Sequence, residues 1–104
     1  MVNDVTSLVI DPKDSVAVAI APLNEGNLAL YKVNGEKRQI RIVQNIPIYH
    51  KFSLVDIKQG DQILKYGESI GVAKVDIHVG EHVHTHNVQS VREQLLHDTK
   101  EENK

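Results

Sequence analysis

The sequence predicts an all-β domain of short strands joined by repeated sharp corners. Three observations carry that expectation. Apolar and polar residues alternate over short runs, the period of a half-buried strand. Asn34-Gly35, a strong two-residue hairpin signal, sits between two such runs. An Asp-Ile-x-x-Gly-acid-x-aliphatic pattern occurs twice, at residues 56–63 and 76–83.

Taken in order, the first strand is expected over residues 15–20, Ser-Val-Ala-Val-Ala-Ile, and the next over 27–31, with Pro22 and Gly26 marking the turn between them. The Asn34-Gly35 hairpin then joins residues 30–33 to 38–43. Ile40 and Ile42 share one face of that second arm while Arg41 points the other way. Further strands are expected at 51–54, 62–66, 70–75 and 82–88. Residues 89–97 hold the one helical pattern, with Val91, Leu95 and Leu96 on one face, and 98–104 reads as a solvated, disordered charge run. The expected division is a β domain over 1–88 and a charged tail over 89–104.

In the two Asp-Ile-x-x-Gly copies an aliphatic anchor enters the core and the chain turns. The glycine three residues later takes a positive φ at little cost. Looser copies begin at Leu23 and Ile46. The second of these has Tyr49 where the others have glycine. A positive φ costs a non-glycine residue about 1–2 kcal/mol, so a different turn is expected at Tyr49. The irregular spacing of the copies indicates a compact domain rather than a solenoid.

A chain of 104 residues fits one domain. Its formal net charge of −2 supplies no basic field for a phosphate backbone, which argues against nucleic-acid binding. Cysteine is absent, which excludes disulfides, thiolate metal sites and cysteine nucleophiles. Residues 1–10 lack a basic segment followed by a long apolar run, and no stretch approaches a membrane span. A cytoplasmic protein is expected.

Six histidines are present, and residues 82–86 read His-Val-His-Thr-His. On a strand, His82, His84 and His86 share a face. Imidazoles two positions apart stand roughly 6–7 Å apart and can lean onto one metal at about 2.0–2.1 Å each. Three in a straight line span twice that distance, so a single ion takes two of them or requires the strand to bend. Asn87 and Glu81 are candidates for a supporting hydrogen bond or an oxygen ligand. His50 is a separate candidate, while His78 and His97 carry no assignment. The competing reading is a polar outer face with no ligand role. Imidazole and oxygen donors suit Fe(II), Zn or Mn without choosing among them.

The run Tyr49-His50-Lys51-Phe52-Ser53-Leu54-Val55-Asp56-Ile57 resembles the Gly-His-Lys-x-Ala-Leu-x-Asp-Ile segment of the altronate and galactarate dehydratase small domain. The resemblance continues through Lys65-Tyr66-Gly67-Glu68-Ser69-Ile70-Gly71, Asp76-Ile77 and Gly80-Glu81-His82-Val83-His84-Thr85-His86-Asn87, and includes the opening Asp14-Ser15-Val16-Ala17-Val18-Ala19. It implies a SAF-type β-clip fold and a role as the small subunit, or an N-terminal fragment, of a sugar-acid hydro-lyase of the altronate dehydratase type. It further implies a large catalytic subunit as partner, a sugar-acid substrate and Fe(II) as cofactor. Catalytic roles are implied for His50, Lys51 and His82, with Lys51 binding a substrate carboxylate as a point charge. His84 and His86 are implied as metal ligands. Two departures are Tyr49 for the family glycine and Ser53 for the usual alanine.

Alternatives within the same resemblance are a sulfolactate sulfo-lyase small subunit and a non-catalytic carbohydrate-binding or assembly module. A cupin-type site fits poorly, because Glu93 falls seven positions after His86 and no glycine follows Gly80. Exposed sheet edges are surfaces on which a homo-oligomer could form.

Overall fold

The computed structural model describes residues 5–90. Within them the chain forms nine strands: β1 (Ser7–Leu8), β2 (Val16–Ala19), β3 (Leu28–Val33), β4 (Glu36–Arg41), β5 (Lys51–Ser53), β6 (Gln62–Lys65), β7 (Glu68–Ala73), β8 (His82–Val83) and β9 (Val88–Ser90). All pairings are antiparallel, in sheets ordered β1-β2-β5-β8, β3-β4 and β6-β7-β9. There is no helix among the described residues. Accordingly, none there is long and apolar enough to cross a membrane.

The expected hairpin is present: Val33 pairs with Glu36, and Asn34 and Gly35 take φ of 53° and 77°. Both central residues are left-handed, as the tight two-residue turn matching the twist of paired strands requires. Tyr66-Gly67 builds a second hairpin of the same kind between β6 and β7.

The repeated corners are the framework of the fold, and they pair two by two. Leu23 and Ile46 exchange backbone hydrogen bonds of 3.0 and 2.7 Å, and Ile57 and Ile77 exchange bonds of 2.8 Å. All four anchors are buried. In each corner the residue three after the anchor donates its N–H to a carbonyl in or just past a strand: Gly26 to Ile42, Tyr49 to Ala19, Gly60 to Ala73 and Gly80 to Ser53. Side chains complete the turns. Asn27, Asp61 and Glu81 accept from the N–H of Asn24, Lys58 and His78, while Asp56 and Asp76 each cap the opposite corner, at Val79 and Gln59.

Tyr49 therefore corrects the expectation of a different turn. It takes φ 70°, in line with Gly26, Gly60 and Gly80 at 93°, 89° and 86°. The bonds from Tyr49 to Ala19 at 2.7 Å and from His50 to Pro47 at 3.0 Å hold it there against the local penalty. Its side chain stands in solvent, 72% exposed. Gly80, by contrast, has no freedom to change, because an added Cβ would lie 2.2 Å from the carbonyl oxygen of Arg41.

Two buried clusters form the core. One gathers Ala17, Leu23, Tyr31, Ile42, Ile46 and Phe52; the other gathers Val16, Ile57, Ile63, Ile77, Val83 and Val88. Two further expectations are corrected. The strand expected over 82–88 is broken, since β8 ends at Val83 and residues 84–87 form a bend and turn before β9. The helix expected from Gln89 does not begin there: Gln89 and Ser90 pair with Val72 and Gly71 in β9. Burial of Val88 in the second cluster draws the following residues onto the sheet edge, past the expected boundary at 88. The rest of the expected tail, residues 91–104, lies outside the described residues.

Candidate metal centre

Corner and sheet geometry bring His50 to the histidine stretch. β5 and β8 pair with Lys51 opposite Val83 and Phe52 opposite His82. One step further in that register, His50 faces His84, and their rings stack with centroids 4.0 Å apart. His50 Nδ1 lies 2.8 Å from His82 Nε2. One ligand nitrogen from each of His50, His82 and His84 lies within 4.8 Å of the others. His86 is in ring contact with His82, at 5.2 Å between centroids, and is exposed at the rim.

Local sequence explains why His50 is available. At the other three corners the residue in its place, Asn27, Asp61 or Glu81, spends its side chain on a turn N–H. At this corner the position of the donors Asn24, Lys58 and His78 is taken by Pro47, which has no N–H to offer. The side chain of residue 50 is thereby released from capping the turn, and its imidazole faces the cluster.

The break after Val83 curls the other histidines into place. Asn87, buried, accepts from the His84 N–H at 2.9 Å and donates to the His82 carbonyl at 2.8 Å. Lys74 Nζ donates to the Thr85 carbonyl at 3.2 Å, and Gln44 Oε1 accepts from the His82 N–H at 2.9 Å. Asn87 thus braces backbone, and Glu81 serves its own corner; neither carboxyl nor amide belongs to the imidazole cluster.

The electrostatics favour neutral rings. Burial, followed by the neighbouring His86, His50 and His84, pushes His82 down to about 4. Burial and then His50 and Lys51 lower His84. Neutral imidazoles keep the lone pairs that a metal needs. The 2.8 Å approach of His50 Nδ1 to His82 Nε2 is a hydrogen bond in which one ring nitrogen donates and the other accepts, and a metal held there would displace that proton. Three imidazoles without a thiolate suit Fe(II), Zn or Mn. The donor set fits the expected kind of metal.

Alongside His84 opens a cavity of about 270 Å³. Lys51 and Lys65 line it together with the hydroxyl-bearing Thr85 and Ser90, and Ile70 and Val88 form its apolar wall. Burial, then the charge of Lys65, lowers Lys51. Of the sequence-predicted residues, the structure gathers His50, Lys51, His82 and His84 in one place and leaves His86 at the edge. His78 stands apart, 3.9 Å from Asp56 at the surface, and His97 lies outside the described residues. Sequence reasoning missed Lys65, Gln44 and Ser90, whose approach to the site depends on sheet packing and has no local signal.

Residues 5–91 match the family profile described as "Altronate/galactarate dehydratase SAF domain". The altronate dehydratase of Escherichia coli (strain K12) is 42% identical over 77 residues, 74% of this chain and 15% of that protein. The altronate dehydratase of Bacillus subtilis (strain 168) is 38% identical over 82 residues, 78% of this chain and 16% of that protein. The (2R)-sulfolactate sulfo-lyase subunit alpha of Chromohalobacter salexigens is 33% identical over 88 residues, 82% of this chain and 94% of that subunit. The matched region therefore spans a small fraction of the altronate dehydratases and nearly all of the sulfo-lyase subunit.

Proposed function

This chain belongs to the altronate/galactarate dehydratase SAF-domain family, and on that premise we propose that it is the small part of a cytoplasmic two-part lyase acting on a sugar acid. The observation that supports this reading is the convergence of His50, His82 and His84 beside a cavity that holds Lys51. The reaction is β-elimination from a 2,3-dihydroxy acid, in which the proton on the carbon next to the carboxylate and the hydroxyl on the following carbon depart as water.

His50, His82 and His84 would hold a divalent ion, with Fe(II) the first choice and Zn or Mn as alternatives. When bound, such an ion supplies Lewis acidity toward a carboxylate or a departing hydroxyl oxygen. Lys51 holds the substrate carboxylate as a point charge and so lowers the cost of placing negative charge on the neighbouring carbon. His86, exposed beside His82, would accept or deliver a proton. The cluster lies open at the surface of a small domain, so a large catalytic subunit is needed to enclose substrate and exclude water.

The sulfo-lyase reading has one observation in its favour: the matched region covers 94% of a sulfo-lyase alpha subunit. In that case sulfite, rather than hydroxide, leaves from the same kind of carbon.

Co-purification with a large dehydratase-type subunit, followed by assay with altronate and with (2R)-sulfolactate under anaerobic Fe(II), tests the proposal. Turnover of altronate, lost in His84→Ala, is expected. Turnover of sulfolactate alone selects the second reading, and no turnover of either by a complex that does form contradicts both.

A further inference from the structure

Lys51 and Lys65 come from different sheets, on β5 and at the end of β6, yet both line the cavity beside His84. Among the described residues none that lines that cavity is acidic. Among the described residues neither lysine has a carboxylate partner, the ion pairs there being Arg38–Glu36 and His78–Asp56. Lys65 instead leans over the Tyr66 ring, with Nζ 4.8 Å from its centroid. Two ammonium groups facing one partly apolar space repel each other, and partly buried charges of one sign call for a counter-charge. The cavity volume of about 270 Å³ is at the small end for ligand sites and suits a short organic acid better than a nucleotide.

We propose that Lys51 and Lys65 form a paired-ammonium pocket for the acid group of a small hydroxy acid, with Lys65 the residue that sets acid-group preference. Thr85 faces the adjoining hydroxyls, and Ile70 and Val88 contact the carbon chain. Lysine suits this task because a mobile point charge accommodates a planar carboxylate or a tetrahedral sulfonate, whereas the arginine fork favours one geometry. The inference rests on the lyase reading for the position of the acid relative to His84, but it concerns a site that binds without turnover.

The test is a titration of the full 104-residue chain, followed by nuclear magnetic resonance of lysine side chains and backbone amides. The probes are altronate, the uncharged hexitol altritol, (2R)-sulfolactate and lactate. Altronate and sulfolactate should shift Lys51, Lys65 and Thr85, and binding should weaken as salt rises. Altritol should leave these signals in place. Lys65→Gln should weaken acid binding about tenfold, a loss of about 1.4 kcal/mol, Lys65→Arg should change the altronate-to-sulfolactate ratio, and the exposed Lys32→Gln should have no effect. Stronger binding of sulfolactate than of lactate places the sulfonate at the pair; equal binding of the two places the carboxylate there. Altritol binding as tightly as altronate, or Lys65→Gln binding like the unaltered chain, overturns the proposal. Zn(II) titration of Lys65→Gln separates the two ideas: loss of acid binding with metal binding intact is expected. In the unaltered chain, metal binding without acid binding defeats the pocket alone, and acid binding without turnover in the two-part complex defeats the lyase reading alone.

Discussion

His50 Nδ1 and His82 Nε2 lie 2.8 Å apart although 32 positions separate them in the chain. The contact follows from two features of different origin. The β5–β8 register brings the segments together, and the proline at the second corner leaves residue 50 with no turn N–H to cap.

That second feature is testable by a double-mutant cycle. In the native background His50→Asp should give no gain in stability, because Pro47 has no N–H for the new carboxylate. In a Pro47→Ala background the same change should stabilise by about 1 kcal/mol, the net value of one such hydrogen bond. Urea unfolding of the four chains measures the coupling, and a coupling of zero would refute this account of the corner.

Tyr49 carries backbone strain at φ 70° with its ring in solvent. Tyr49→Gly relieves about 1–2 kcal/mol of left-handed strain and loses part of that to the greater freedom of the unfolded glycine, about 0.5–1 kcal/mol. A net gain of roughly 0.5–1 kcal/mol is expected in the isolated chain, with Tyr49→Val less stable than the native protein. A loss of stability in Tyr49→Gly would mean that the exposed ring contributes contacts of its own.

Acid sensitivity should follow from the cluster. His82 sits near 4 in the folded chain against a usual value of 6.5, so between these values the unfolded chain binds a proton that the folded chain refuses. Stability from this group is complete above about 6.5 and is lost as pH falls toward 4. His84 shifts in the same direction. The metal-free unfolding midpoint should therefore fall on acidification across this window, and His82→Gln should fall less steeply. Parallel pH profiles for the two chains would refute the assignment.

Much of the fold was legible in local pattern. Alternation located β2 to β7 to within a few residues, and Asn34-Gly35 and the Asp-Ile-x-x-Gly repeats marked corners whose anchors Ile57 and Ile77 are buried as expected. β1 was missed because Ser7–Leu8 is too short to show a period. The unbroken strand expected through His86 failed because Asn87 closes a turn on His82 and His84, a side-chain effect that periodicity does not register. The β5–β8 register brings His50, His82 and His84 together, and the break leaves His86 exposed at the rim in ring contact with His82. Tyr49 was misjudged for the opposite reason: local cost spoke against a conformation that long-range hydrogen bonds impose. Lys65 had no signal, because its position beside Lys51 exists only after two sheets pack.

Direct metal binding by the 104-residue chain is the sharpest test of the centre. Anaerobic titration with Fe(II), and in parallel with Zn(II), should show one ion per chain at pH 7. His50→Ala and His84→Ala should each weaken binding by more than roughly a hundredfold, the upper end for loss of a merely supporting group, while His78→Ala should bind like the native chain. Failure to bind either ion, or equal binding by the His50→Ala chain, would contradict the account.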